Sequence, residues 1–159
     1  MVLVRETVIA DWRALRDIRL EALRDYPAAF ASTYEREAGR DEEQWRGWSS
    51  GRGMFLAYLP EVSEPAGLAG GYQPDALTVE LVSMYVRPRA RGRGVGEALV
   101  ATVIGWAGTR DATGVHLWVT ETNDHARALY ERCGFTLTGE RQPLPSVPGR
   151  DEVAMARPL

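Results

Sequence analysis

Arg91-Gly92-Arg93-Gly94-Val95-Gly96 sets three glycines at alternate positions in the second half of the chain. With no Cβ in the way, such a backbone can turn tightly and come close to a ligand. Ahead of it, Thr78 to Val86 has the composition of a strand. Behind it, Gly96 to about Ala107 has helical spacing, with Leu99, Val103 and Trp106 facing inward. A helix opening directly after a turn aims unpaired N–H groups and the positive end of its dipole at whatever the loop holds. Strand, glycine turn and helix N-terminus together make an anion site, with phosphate the usual guest. Two familiar phosphate loops do not fit. The triphosphate loop requires Gly-x-x-x-x-Gly-Lys-Ser/Thr, and no lysine lies near the turn. The dinucleotide fingerprint requires Gly-x-Gly-x-x-Gly, whereas the spacing here is Gly-x-Gly-x-Gly.

On the N-terminal side, Val2 to Arg5 reads as a first strand. Asp11 is placed to cap a helix reaching about Asp25, with Trp12, Leu15, Ile18, Ala22 and Leu23 on one face. Pro27 ends that helix, and Pro27 to Phe30 with Tyr34 suggest a short second helical piece. Asp41-Glu42-Glu43 reads as a helix start, with Trp45 and Trp48 inward and Gly51 past the end. Met54 to Leu59 and Gly67 to Tyr72 are predicted strands joined by a turn over Glu61 to Pro65. On the C-terminal side, Val115 to Val119 is a strand and Asn123 to Arg132 a helix, with Gly134 suited to its C′ position. Phe135 to Thr138 and Glu152 to Ala156 complete the strands, and the proline-rich Gln142 to Gly149 is a loop. This order predicts an α/β (α+β) fold with a mixed sheet. The strand–helix–strand unit at the glycine turn is parallel, and the hairpins are antiparallel.

With 159 residues and no linker or repeat, residues 1–159 are expected to form one domain. The net charge of −3 argues against general nucleic-acid affinity. A single cysteine, Cys133, excludes an intrachain disulfide and a cysteine-based zinc site. No apolar run approaches the ~20 residues of a membrane span, and Met1 to Ala10 lacks a signal pattern. The expectation is a cytoplasmic protein with no metal, no nucleic-acid partner and no membrane contact.

A second patterned segment is Asn123-Asp124-His125-Ala126-Arg127-Ala128-Leu129-Tyr130-Glu131-Arg132-Cys133-Gly134-Phe135. It resembles the Asn-x-x-Ala-x-x-Leu-Tyr-x-x-x-Gly-Phe segment of the GCN5-related N-acetyltransferases. Arg91-x-x-Gly94-x-Gly96 is similar to that family's Arg/Gln-x-x-Gly-x-Gly/Ala loop, preceded by Tyr85-Val86-x-Pro88 at a strand end. The predicted element order is also that of the family, so the resemblance covers most of the chain. It implies a mostly antiparallel sheet with one parallel strand pair at an acetyl-CoA site, flanked by helices. It implies acetyl-CoA as co-substrate and an amine acceptor, either a small molecule or a protein or peptide amine. A homodimer is a family-level expectation.

Carried over residue by residue, the resemblance assigns cofactor binding to Met84, Tyr85, Val86, Arg91, Gly92, Arg93, Gly94, Val95, Gly96, Asn123, Ala126 and Tyr130. A backbone N–H near Val86 is the family's oxyanion donor. Tyr130 is the candidate acid for the leaving thiolate, since a phenol with a pKa near ~10 stays protonated at neutral pH; otherwise it is a core residue. Glu80 is the candidate base, often acting through water in the family, with Glu121 as rival and a solvent-facing carboxylate as the plain alternative. Phe30, Tyr34 and Trp45 lie where the family walls its acceptor pocket. His116 and His125 lack partners at metal spacing, and Cys133 reads as packing. Two other readings remain: a CoA-binding domain without turnover, and a nucleotide- or RNA-binding module using Arg89, Arg91 and Arg93.

Overall fold

Seven strands form one sheet, in the order β1-β2-β3-β4-β5-β7-β6, in a computed structural model that describes residues 1–159. They are β1 (Leu3–Glu6), β2 (Met54–Tyr58), β3 (Gly67–Tyr72), β4 (Thr78–Val86), β5 (Gly114–Thr120), β6 (Thr136–Pro143) and β7 (Asp151–Pro158). The helices are α1 (Trp12–Asp25), α2 (Tyr34–Ala38), α3 (Glu42–Trp48), α4 (Val95–Thr109) and α5 (Asp124–Arg132). Only β4 and β5 run parallel; every other neighbouring pair is antiparallel. A parallel pair needs a crossover, and α4 supplies it. No helix is long and apolar enough to cross a membrane.

The sheet is covered on both faces. Leu99, Val100 and Val103 of α4 are buried with Val79, Leu81, Val115 and Leu117 of the parallel pair. Leu15, Ile18, Ala22 and Leu23 of α1 pack on the other face with Met54, Leu56, Leu68 and Tyr85. Alternation along β4 therefore sends Val79 and Leu81 towards α4 and Glu80 to the opposite face. Glycine in β3 has a packing reason. A Cβ on Gly71 would lie 2.6 Å from the ring of Trp106, and one on Gly70 2.6 Å from the Met54 sulfur. These positions let α4 and β2 close on the strand.

Several boundaries differ from the sequence expectation. The helix behind the glycine turn begins at Val95, one residue earlier. β6 runs on to Pro143, into the stretch read as loop, because it pairs there with β7; all eight of its residues are exposed, so no buried face marks the strand in the sequence. Asp11 precedes α1 but does not cap it. Its carboxylate turns back to accept the Val8 N–H at 2.8 Å and both guanidinium contacts of Arg5 at 2.8 Å. Asp41 does cap α3, accepting from Gln44 N–H at 2.8 Å while the Gln44 side chain accepts from Asp41 N–H at 2.9 Å.

One contact had no sequence signal. Arg19 of α1 and Glu37 of α2 form a two-pronged ion pair at 2.9 Å and 2.9 Å. Both are buried, at 6% and 2% exposure. The Arg19 guanidinium lies 5.1 Å from the Phe30 ring centre and 5.8 Å from that of Trp48. Burial works to raise the Glu37 carboxyl, but the pairing with Arg19 prevails and holds it below the usual carboxylate range.

Candidate active site

β4 and β5 pair only from Thr78 to Leu81 against Gly114 to Leu117. Beyond Leu81 the strands part. The pairing of β3 with β4 passes from Gly70↔Val82 to Leu68↔Tyr85, so β4 holds one extra residue there, and Ser83 takes φ +60°. Such a bulge bends its strand and increases the local twist. The result is a cleft of about 570 Å³ between the diverging strand ends.

Three of the segments that wall this cleft carry the motif residues. Met84, Tyr85 and Val86 come from β4, Arg91, Gly92 and Gly94 to Gly96 from the turn, and Asn123, Ala126 and Tyr130 from the start and body of α5. The Arg87 N–H donates to the Ala66 carbonyl beside β3 at 2.9 Å. Arg91 Nε donates to the Val86 carbonyl, on the other side, at 3.1 Å. Strand alternation thus turns the Val86 N–H towards the cleft. Gly92 and Gly94 have φ of +75° and +81°, conformations that glycine adopts at least cost. Gly94 is the N-cap of α4, so the free N–H groups of Val95 and its neighbours face the turn.

Gly96 lines the cleft and also meets α5. It lies inside α4, and a Cβ there would sit 3.0 Å from Leu129 Cδ2 of α5. It sets how closely α5 docks on α4. Asn123 caps α5, its Oδ1 accepting from Ala126 N–H at 3.2 Å. Asn123 itself lines the cleft, with its amide NH₂ not used in the cap.

Tyr130 lines the cleft at 6% exposure and packs edge-on against Phe135, with ring centres 6.0 Å apart. Burial, with a smaller contribution from Cys133, pushes its phenol well above the ordinary tyrosine value. It is therefore a protonated donor throughout the neutral range. Tyr85 is committed elsewhere: its hydroxyl donates to Glu21 at 2.9 Å, and Arg87 Nε reaches the same carboxylate at 3.1 Å.

Arg93 and Glu80 stand outside the cleft lining. Arg93 pairs with Glu61 at 2.5 Å on the surface, so its position in the motif does not bring it to the cleft wall. Glu80 lies on the sheet face opposite α4, with His116 Nδ1 at 3.5 Å. Burial raises its carboxyl above the usual range, while His116 opposes the shift. The rival Glu121 is tied to Arg141, and its Oε1 accepts from Asp151 N–H at 3.5 Å. Phe30 does line the cleft, whereas Tyr34 and Trp45 do not. Trp45 is 1% exposed, and its ring packs against Trp48 at 5.5 Å.

Two aromatic residues in the lining were missed. Tyr26 follows the last turn of α1 with no local pattern to mark it, yet Arg91 stacks over its ring at 5.0 Å. Trp118 could have been found from alternation in β5. It shares a face with His116, whose ring lies 5.4 Å from it. Together the cleft offers N–H donors at a helix start, an open strand edge, and a buried phenol.

Comparison with known proteins agrees with this arrangement. A family model described as "Acetyltransferase (GNAT) family" matches residues 12–135. A mycothiol acetyltransferase of Beutenbergia cavernae is 35% identical over 127 residues, which is 79% of this chain and 40% of that protein. The chain thus spans well under half the length of such curated relatives. A GCN5-related N-acetyltransferase from Kribbella flavida superposes with a TM-score of 0.78 at 27% identity, over 99% of this chain and 98% of that one. A phosphinothricin acetyltransferase from Sinorhizobium meliloti, solved in complex with AcCoA, has the same fold at a TM-score of 0.80 and 23% identity, covering 99% and 88%.

Proposed function

The chain belongs to the GNAT acetyltransferase family, and from that premise we propose that it moves an acetyl group from acetyl-CoA to a primary amine by direct attack on the thioester. The observation that carries this is the single cleft bounded by a glycine-capped helix start at one side, the parted ends of β4 and β5, and Tyr130. The N–H groups at Val95 and beyond hold pyrophosphate. The unpaired edge of β4 takes the pantetheine arm, and Asn123 offers its amide to it. As the amine nitrogen bonds to the thioester carbon, the Val86 N–H holds the developing oxyanion. The bonded nitrogen sheds its extra proton to water, and when the C–S bond breaks the electron pair goes to sulfur and Tyr130 supplies the thiolate's proton.

Fixing the thioester at the strand edge supplies proximity, which can contribute up to ~7–11 kcal/mol. The amine must first lose its own proton. We assign that to Glu80, beside the cleft rather than in its lining, acting through water. A base must be ionised to work, and the raised Glu80 carboxyl is ionised only above the usual carboxylate range. The rate is therefore full at higher pH and falls as pH drops through that raised value. Glu80→Gln is expected to remove this acid limb from the pH profile of kcat/KM. An unchanged limb in that variant assigns the titration to another group.

The test of the whole reading is the melting temperature with and without acetyl-CoA, followed by a turnover screen over amine classes. At a hundredfold excess over Kd, binding stabilises by about 2.7 kcal/mol. For a chain of this length, that raises Tm by roughly 5–10 °C, at ~2–4 °C per kcal/mol. No shift at saturating acetyl-CoA would sink the proposal.

A further inference from the structure

A second concavity, of about 610 Å³, opens among α1, α2, α3 and the loop before β7. It shares no lining residue with the cleft. Four arginines, Arg19, Arg36, Arg40 and Arg52, line it against one carboxylate, Glu37. In a chain of net charge −3 this is a local excess of positive charge. Glu37 is already fully used. Its two oxygens take Arg19 at 2.9 Å each, and Oε1 also takes Arg40 at 3.4 Å. Arg36 and Arg52 reach the pocket from exposed positions and join no ion pair.

Arg19 also carries a donor, Nη1, that the chain leaves unpaired. The Arg19 side chain is only 8% exposed, yet this nitrogen is buried with no hydrogen-bond partner. Buried donors are almost always satisfied, because leaving one unpaired forfeits its hydration without return. The guanidinium cannot turn to find a partner, because Glu37 holds two of its nitrogens and Phe30 and Trp48 flank it. Arg40 is likewise set in place over Trp48, at 5.1 Å from the ring centre. The groups are thus pre-positioned, and Glu37 alone supplies negative charge against four guanidinium groups. Arginine forks match carboxylate and phosphate oxygens in shape as well as sign.

We propose that this pocket is an anion-binding site that takes a phosphate or carboxylate group. Its occupant lies one side chain behind the cleft, since Phe30 lines the cleft while stacking on Arg19. Ser146 ties the loop before β7 to the Phe30 carbonyl, and Thr120 of β5 ties to the Ala28 carbonyl at 2.6 Å. The segment between the two cavities is therefore a braced wall. The anion is either the acidic end of an acceptor that reaches over this wall or a free anion seated behind it.

The experiment is calorimetric titration of inorganic phosphate and of citrate at constant ionic strength. It compares the wild-type chain with the Arg36→Glu/Arg52→Glu variant, whose two sites are exposed. Saturable binding by the wild type, weakened at least tenfold in the variant and retained with acetyl-CoA present at saturation, is the expected result. No saturable binding, equal binding by the variant, or displacement by acetyl-CoA overturns the site. Binding is read without turnover, so failure of the acetyl-transfer reading leaves this result intact. The source then follows from kinetics. Phosphate competing with an acidic acceptor but not with its neutral amide assigns the site to the acceptor's own anionic group. Binding without such competition assigns it to a free anion.

Discussion

Tyr130→Phe is expected to keep acetyl-CoA affinity and lower kcat by roughly 10–10³, a range set around the usual contribution of a positioned acid. The ring remains to pack against Phe135, so only the hydroxyl is removed. Burial raises the phenol, which keeps its proton at every pH where the enzyme would be assayed. A loss arising from the missing proton donor is therefore flat across neutral pH, unlike the Glu80→Gln effect. Equal loss in kcat and kcat/KM marks an interaction made only in the transition state. The assay is steady-state release of free CoA with the amine found by screening, backed by single turnovers in case product release limits the rate. Wild-type turnover by a folded Tyr130→Phe protein would leave water as the acid and Tyr130 as a packing residue.

Glu37→Leu is expected to destabilise the fold by about 3–5 kcal/mol, because it strands the buried Arg19 charge. At ~2–4 °C per kcal/mol this lowers Tm by roughly 6–20 °C. The size follows from the burial of both partners, with side chains 8% and 2% exposed. Surface pairs such as Arg46 with Glu42 face water and are worth ~0–1 kcal/mol at most. The double variant Arg19→Met/Glu37→Leu replaces the pair with apolar side chains and should recover most of the loss, as buried pairs often exchange at little net cost. Thermal unfolding of the two single variants and the double gives the coupling directly. A single-variant loss under about 1 kcal/mol would place the pair with the weak surface pairs.

Much of the fold was legible because its signals are local. Glycine at 92 and 94 marks backbone with positive φ, a property of one residue and its neighbours. Apolar spacing from Trp12 to Leu23 marks the buried stripe of α1. Asn123 and Gly134 mark the two ends of α5 through capping, which acts within one helical turn. The two motifs, read together, also brought Tyr130 and the helix start of α4 into one hypothesis. The structure sets them around one cleft.

What the sequence could not decide is which distant groups meet. Glu80 came forward from the family resemblance, and alternation in β4 gives its side of the sheet, but its neighbour His116 follows from the parallel register with β5. The bulge at Ser83 that parts the strands is a one-residue mismatch with β3, invisible in either strand alone. Arg93 and Arg91 sit in the same motif, yet one is drawn outward to Glu61 and the other inward to Val86 and Tyr26. Gly96 lines the cleft, and its close neighbour Leu129 comes from α5, which the motif loop alone does not show. Arg19 and Glu37 are ordinary helix residues until α1 and α2 pack and bury them together. Turn conformation, caps and periodicity are set by chemistry within a few residues, so the chain itself determined its elements and their order. Pairing, burial and charge partners depend on register and packing between segments far apart in sequence, and only the tertiary structure decided those.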